Sequence, residues 1–444
     1  MKKILLIGAG RSTSTLIRYL LDNADLHDWQ IIVADINLQL ARDKIKNHPK
    51  AKPHVLDITD IESTGKLIES SDIVISMLPA NMHLGIAEMC IYYKKHMVTA
   101  SYISDKLKQL DGMAKKNNVL LLNETGVDPG IDHMSAMKVI DKIHEKGGII
   151  TEFESNTGGL VAPKYDNNPW NYKITWNPRN VVLAGKNGAQ FLHNGRYKYI
   201  PYHKIFKRYE RIHVLDLGEF EAYPNRDSLK YRNTYGLNDV QTMFRGTIRR
   251  PGFCKAWNIL VELGITSDDF VFHDSHLFTY RDFINSFLAY SKDDSVEEKL
   301  ARYLGIDEDS IMMYKLRWLG IFDRKKIHLE NSTPAKILQQ ILEEKLILDK
   351  DDKDMIVMQH QFIYEINGKK MKTLSSMVSY ANDDIHTAMA RAVGLPVAII
   401  AKNILSGNIK STGVHIPTIK EIYATVLKEL EGHDIQFIEE HTNL

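Results

Sequence analysis

The first fifteen residues, MKKILLIGAGRSTST, constrain the fold of this chain more than any other stretch. Ile4, Leu5, Leu6 and Ile7 form an unbroken apolar run, as expected for a parallel strand covered on both faces. Gly8 and Gly10 follow at once. They let the backbone turn tightly and approach a pyrophosphate, and Arg11 and Ser12 then lead into a helix whose N-terminus favours negative charge. The third position of this glycine fingerprint holds Thr13, which is still small enough for a helix to pack closely on a strand. A plain structural turn is the competing reading of so short a motif.

Asp35 decides between them. It ends the next apolar run, Ile31-Ile32-Val33-Ala34, and so places a carboxylate where the ribose of a dinucleotide offers its hydroxyls. Asp35 could instead cap the helical segment that begins at Asn37. The glycine turn and the acidic residue at this spacing together favour dinucleotide binding.

At 444 residues the chain exceeds one ordinary core, so two or three domains are expected. With 57 Lys and Arg against 56 Asp and Glu, no global field recruits nucleic acid or an acidic membrane. Cys90 and Cys254 are too few and too far apart for a disulfide framework or a cysteine zinc site; no metal is expected, and a reducing cytoplasm suits the chain. The N-terminal apolar run stops at Arg11 without a cleavage-like sequence behind it, and no apolar run approaches membrane-spanning length. A soluble protein is the expectation.

Strand-like runs recur at 31–34, around Val55, and at 73–76, 97–100 and 119–122, alternating with helical patterns at 61–69, 83–93 and 107–116. This alternation predicts an α/β fold with a doubly wound parallel sheet, whose ligands sit at the carboxyl ends of the strands. The loops there carry polar chemistry. Asp57-Ile58 suits contacts with an adenine, or Asp57 caps the next helix. Ser76-Met77-Leu78-Pro79, then Thr99-Ala100-Ser101-Tyr102, then Asn123 through His133 follow later strands. The last run is rich in turn residues, with Asp132 a candidate cap for a helix over 133–146. Beyond about residue 150 a mixed α/β pattern begins, with arginines at Arg226, Arg245, Arg249 and Arg250 that a solvated face would also explain. Segment 255–349 is helical in pattern, 355–364 is strand-like, and 385–405 is a small-residue helix that could close back on the first domain.

Collected together, these loops resemble the saccharopine dehydrogenases of the glutamate-forming type, also called saccharopine reductases. The resembling pieces run in order from Gly8-Ala9-Gly10 through Val98 to Ile103, Asn123 to His133, Gly158-Gly159-Leu160, Asn168-Pro169 and Tyr172-Lys173. They continue through Trp176, Tyr223-Pro224-Asn225-Arg226-Asp227-Ser228 and Arg245-Gly246-Thr247 to Gly394-Leu395-Pro396. The DPGIDH and YPNRDS strings are the most specific.

The resemblance implies a Rossmann domain over 1–130 completed by about 390–444, and an α/β substrate-binding and dimerisation domain over 131–254 and 350–389. The third domain it implies is helical, over 255–349. It implies oxidation of saccharopine by a nicotinamide cofactor to an imine, which water splits into L-glutamate and 2-aminoadipate 6-semialdehyde, or the reverse reduction. Cofactor contacts carry over to Gly8, Gly10, Arg11, Ser12, Asp35, Asp57, Ile58, Leu78, Val127, Asp128 and Asn177. Substrate contacts carry over to Ser101, Tyr102, Asp128, Arg226, Thr247, Ile248 and Arg249, and a homodimer is implied. Asp128 or Tyr102 would move the protons of imine hydrolysis; Asp128 before Pro129 could equally initiate a turn.

Three departures stand out. Members that use NADP carry a basic residue after the second strand, where this chain has Asp35-Ile36-Asn37, so NAD is expected over NADP. A cysteine common before the glycine pair is Thr157 here, and Lys164 replaces an acidic residue. Two other functions remain open: dehydrogenation of another amine-linked acid, as in a carboxynorspermidine-type enzyme, and nucleotide binding by a regulator without turnover.

Overall fold

Lys2–Ile7 (β1) is an interior strand of a seven-stranded sheet and is buried from Ile4 onward. In the computed structural model, which describes residues 1–444, contacts divide the chain into two units. The first holds Met1–Ile150, Thr234–Leu237 and Ile363–Leu444, and the second holds the rest.

In the first unit β1 is followed by Ser14–Asp22 (α1), Trp29–Asp35 (β2), Leu38–Ile45 (α2), Ala51–Val55 (β3), Ile61–Glu69 (α3) and Ile73–Ser76 (β4). His83–Tyr92 (α4), His96–Val98 (β5), Asp105–Lys108 (α5), Asp111–Lys116 (α6), Leu120–Leu122 (β6) and Ile131–Glu145 (α7) continue the alternation. β1 pairs in parallel with both β2 and β4, Ile4 lying opposite Ile31 and Ile73. The strand order therefore reverses at β1, and doubly wound sheets bind ligands at the carboxyl ends of the strands at such a switch point. The predicted helix over 107–116 is two helices, parted at Gln109 and Leu110.

The second unit begins within Ile149–Val161 (β7), at Thr151, and continues with Pro178–Val182 (α8), the hairpin Ala189–His193 (β8) and Arg196–Ile200 (β9), Glu210–His213 (β10), Glu219–Pro224 (β11) and Thr242–Arg249 (β12). Helices Phe253–Leu263 (α9), Tyr280–Asn285 (α10), Val296–Leu304 (α11), Ile311–Leu319 (α12) and Pro334–Lys345 (α13) follow, and Asp354–Ile366 (β13) leads the chain onward. β12 lies antiparallel to β11 and parallel to β7, so the sheet is mixed. Capping boxes, Thr279 with Asp282 and Ser295 with Glu298, start α10 and α11.

Lys369–Tyr380 (β14), Ala388–Leu405 (α14), Gly413–His415 (β15), Lys420–Glu431 (α15) and Ile438–Asn443 (β16) belong to the first unit. β15 extends the parallel sheet beside β6, and β16 pairs with β14. The contact division differs from the sequence boundaries: 131–150 and 363–389 group with the first unit, because α7 packs on α15 and β14 takes up β16. Segment 255–349 groups with 151–233.

Contrary to the sequence expectation, one helix is apolar and long enough to cross a membrane. It is α14, 18 residues with a mean hydropathy of 1.5, and 78% of it is buried inside the protein. Its apolarity serves the core, where it packs on α1. A Cβ at Gly394 would stand 2.9 Å from the amide nitrogen of Leu16 and 3.2 Å from the Ser12 carbonyl. Gly394 thus lets α14 approach the start of α1 closely.

Candidate active site

The turn after β1 is built for close approach. Gly8 has φ +101°, its amide bonds the Ala34 carbonyl at 2.8 Å, and a Cβ there would come 2.8 Å from the Met77 carbonyl. Nothing lies within 4 Å of a Cβ built on Gly10. No side chain caps the amides at Arg11–Thr13 or at the start of α1. N–H groups without a side-chain cap and an open glycine surface fit a pyrophosphate. Gly8→Ala adds a methyl group in a left-handed conformation against a carbonyl, and is expected to weaken dinucleotide affinity at least about tenfold. A fluorescence titration of the variant checks this.

Asp35 faces this turn. Its Oδ2 accepts the Ala9 amide at 2.7 Å and its Oδ1 accepts the Asn37 amide at 2.8 Å. Asn37, not Asp35, caps α2, through the Gln39 amide. Asp57 likewise caps no helix. Its Oδ1 accepts the amide and hydroxyl of Thr59 at 2.9 and 2.7 Å, which holds its carboxyl below the usual range, while Asp60 caps α3. Ile58 and Leu78 pack half-buried against the core of this unit and offer apolar walls.

The loops after β5 and β6 are tied together from beneath. Tyr102 OH donates to Asp128 Oδ1 at 3.4 Å, and both side chains are half-buried. Glu124, wholly buried, accepts the Ile103 amide at 3.0 Å and pairs with His133 Nε2 at 2.8 Å, and His133 Nδ1 meets Tyr235 OH at 2.5 Å. Asp132 is inside α7 rather than at its cap: the helix starts at Ile131, and Asp132 Oδ1 accepts the Gly130 amide at 2.6 Å. Val127 is buried, its carbonyl accepting the Asp132 amide at 3.1 Å.

His83 joins two strand ends that sequence reasoning left unconnected. Its Nδ1 meets Ser76 Oγ at 2.9 Å and its Nε2 meets Ser101 Oγ at 2.7 Å. Burial pushes the imidazole down to about 4, so it stays neutral and fixes the Ser101 hydroxyl. An unfolded chain binds this proton near its ordinary 6.5. Stability attached to His83 is therefore full above that pH and falls as pH drops towards 4, by about 2 kcal/mol between pH 7 and pH 5. Urea unfolding at the two pH values should show a smaller loss for His83→Asn than for the wild type.

In the second unit, Asn177 caps α8, its Oδ1 accepting the Arg179 amide at 2.9 Å. The YPNRDS loop is pinned by backbone and side-chain bonds: the Asn225 amide bonds the Arg245 carbonyl at 2.8 Å, and Asp227 Oδ1 accepts the Leu229 amide at 2.9 Å. Arg226 is exposed and held at φ +54°, an unusual conformation for a side-chain-bearing residue. The RGTIRR arginines do not form a solvated face. Arg245 stacks on Tyr231 at 4.7 Å and Arg250 on Phe220 at 4.5 Å. Arg249, 4% exposed, lies over Tyr172, Phe253 and Tyr223 at 5.0, 5.4 and 5.9 Å. Its Nη1 bonds only the Ile248 carbonyl, at 2.8 Å, and its Nε has no partner. Thr247 lies opposite Thr157 across the β12–β7 pair, with the Thr157 hydroxyl also unpartnered, and Ile248 is buried between Thr247 and Arg249.

The parallel sheet, the glycine turn and the acidic tip of β2 define a Rossmann-type dinucleotide-binding protein. Family comparison goes further. Residues 4–122 match the saccharopine dehydrogenase NADP binding domain and residues 126–435 the saccharopine dehydrogenase C-terminal domain, so the chain belongs to the saccharopine dehydrogenase family. It is 30% identical to saccharopine dehydrogenase [NADP(+), L-glutamate-forming] of Schizosaccharomyces pombe and 32% identical to that of Saccharomyces cerevisiae, over 99% of both chains in each case. The apo structure of saccharopine dehydrogenase (L-Glu forming) from S. cerevisiae matches with a TM-score of 0.89 and 31% identity, each chain covered in full.

These findings overturn the expectation of NAD over NADP, since the relatives are named for NADP(+) and the matched domain is NADP-binding. The expectation took Asp35 as a negative charge that neither Ile36 nor Asn37 offsets. The Lys44 ammonium, nine residues further along and outside the fingerprint, opposes that charge.

Proposed function

We propose that this chain oxidises saccharopine with NADP to L-glutamate and 2-aminoadipate 6-semialdehyde, and catalyses the reverse reduction, in lysine metabolism. The observation that carries the reading is the Tyr102–Asp128 pair, 3.4 Å apart, at the carboxyl edge of a dinucleotide-binding sheet. Gly8, Gly10, Arg11, Ser12, Asp57, Ile58, Leu78 and Val127 are the residues assigned to hold the dinucleotide, whose nicotinamide takes the hydride when bound. The remaining chemistry is proton movement. Oxidation of the secondary amine releases a proton, and adding water to the resulting imine requires one proton to leave the water and one to reach the departing amine. Asp128 accepts in the first case and Tyr102 can pass protons to and from it. Ser101, held by His83, orients the substrate beside them. Arg226 and Arg249 are assigned to its carboxylates, since a planar guanidinium matches a carboxylate bidentately.

A steady-state assay of saccharopine with NADP and with NAD tests substrate and cofactor together. Saccharopine-dependent reduction of NADP is the expected result. Binding of the dinucleotide without turnover on saccharopine would point to a regulator, and turnover only on another amine-linked acid would move the substrate.

A further inference from the structure

Lys44 lies in the last turn of α2, and its ammonium reaches across to the glycine turn. There it donates to the Gly10 carbonyl, to Thr13 Oγ1 at 3.1 Å and to Ser14 Oγ at 2.9 Å. All three N–H donors of the ammonium are used on one short segment. The Gly10 carbonyl also accepts the Thr13 amide at 3.2 Å and the Thr13 hydroxyl at 2.8 Å, so Lys44 completes a cluster that fixes where the turn ends and α1 begins.

The electrostatics point the same way. Asp35 places a full negative charge against the Ala9 amide in this turn. A dinucleotide brings further negative charge, and one with an additional ribose phosphate brings two units more. Like charges at close range in a partly desolvated site cost far more than in water. Lys44 is half-buried; burial pushes its ammonium down to about 8, while the charge of Asp35 acts in the opposite sense. A desolvated cation spent on a turn that also carries a buried-side carboxylate is a local neutraliser.

We propose that Lys44 is a positioning and specificity residue for the cofactor: it locks the glycine turn and cancels the charge of Asp35, so that a dinucleotide carrying an extra phosphate is accepted at a turn with an acidic strand tip. This rests on the NADP reading above. It requires no direct contact between Lys44 and the phosphate, because the hydrogen bonds to Gly10, Thr13 and Ser14 already occupy the ammonium.

The test uses the full chain without substrate. Dissociation constants for NADP and NAD are measured by quenching of protein fluorescence, and Tm is measured without cofactor, for wild type, Lys44→Met and Lys44→Arg. The methionine keeps much of the length and loses the charge, and the arginine keeps the charge. Lys44→Met is expected to raise the Kd for NADP about tenfold and that for NAD no more than about threefold, with Lys44→Arg recovering most of the NADP affinity. An unchanged NADP affinity in Lys44→Met would overturn the proposal. Equal weakening of both dinucleotides, or a fall in Tm that accounts for the loss and is not rescued by Arg, would reduce Lys44 to a structural prop. A wild-type protein that binds no NADP would instead fail the functional reading itself.

Discussion

Replacing Asp128 by Asn lowers kcat about a hundredfold and leaves KM for saccharopine within about threefold, the pattern of a group whose contribution appears in the transition state. Asparagine keeps the shape of the side chain and a carbonyl oxygen to accept from Tyr102 OH, which donates to Asp128 Oδ1 at 3.4 Å. What it loses is the capacity to take a proton. Steady-state kinetics beside a circular dichroism spectrum separates this from misfolding. Turnover close to wild type in a folded Asp128→Asn protein would return the residue to the turn role that its place before Pro129 also suits.

Arg226→Lys should have the second largest effect, this time on binding. The loop around Arg226 is held by bonds from the Asn225 amide to the Arg245 carbonyl and from the Leu229 amide to Asp227 Oδ1, and the conservative change to lysine keeps the positive charge there. Lysine keeps the charge and loses the planar, two-point match to a carboxylate, so KM for saccharopine is expected to rise about tenfold, a difference of about 1.4 kcal/mol. The Kd for NADP should not move. A variant with the wild-type KM would assign Arg226 to the surface.

The parallel sheet was legible because its strands are buried on both faces and so appear as unbroken apolar runs, such as Ile4 to Ile7 and Ile73 to Ile75. Segments whose role depends on distant partners were not. Lys44 is an ordinary charged residue near the end of a helix until the fold brings Gly10, Thr13 and Ser14 against it. His83 follows a loop without distinguishing composition, and only the adjacency of β4 and β5 sets it between Ser76 and Ser101. Glu124 and His133 were within the turn-rich run that drew attention to this edge, but their pairing, and the arrival of Tyr235 from a hundred residues away, is a tertiary fact. The arginines of β12 misled for a related reason. Charge density along a sequence suggests solvent, whereas the rings of Tyr231, Tyr172, Tyr223 and Phe220 that accommodate these guanidinium groups come from elsewhere in the chain.

Asp35 carries a different lesson. A carboxylate at the tip of the second strand is a sound sign of a dinucleotide site, but its use for choosing between NAD and NADP depends on which charges the fold brings near it. Here the Lys44 ammonium, from the last turn of α2, opposes it, a detail no spacing rule contains.

The most direct measurement is the identity of the products formed from saccharopine. Oxidation at the carbon on the lysine side of the secondary amine and hydrolysis of that imine release L-glutamate and an aldehyde. Oxidation on the glutamyl side would release lysine and 2-oxoglutarate. Amino-acid analysis of a reaction with saccharopine and NADP should find one equivalent of L-glutamate for each equivalent of reduced cofactor, and no lysine. Lysine in place of glutamate, or no amino acid released, would contradict the assignment of this chain's activity.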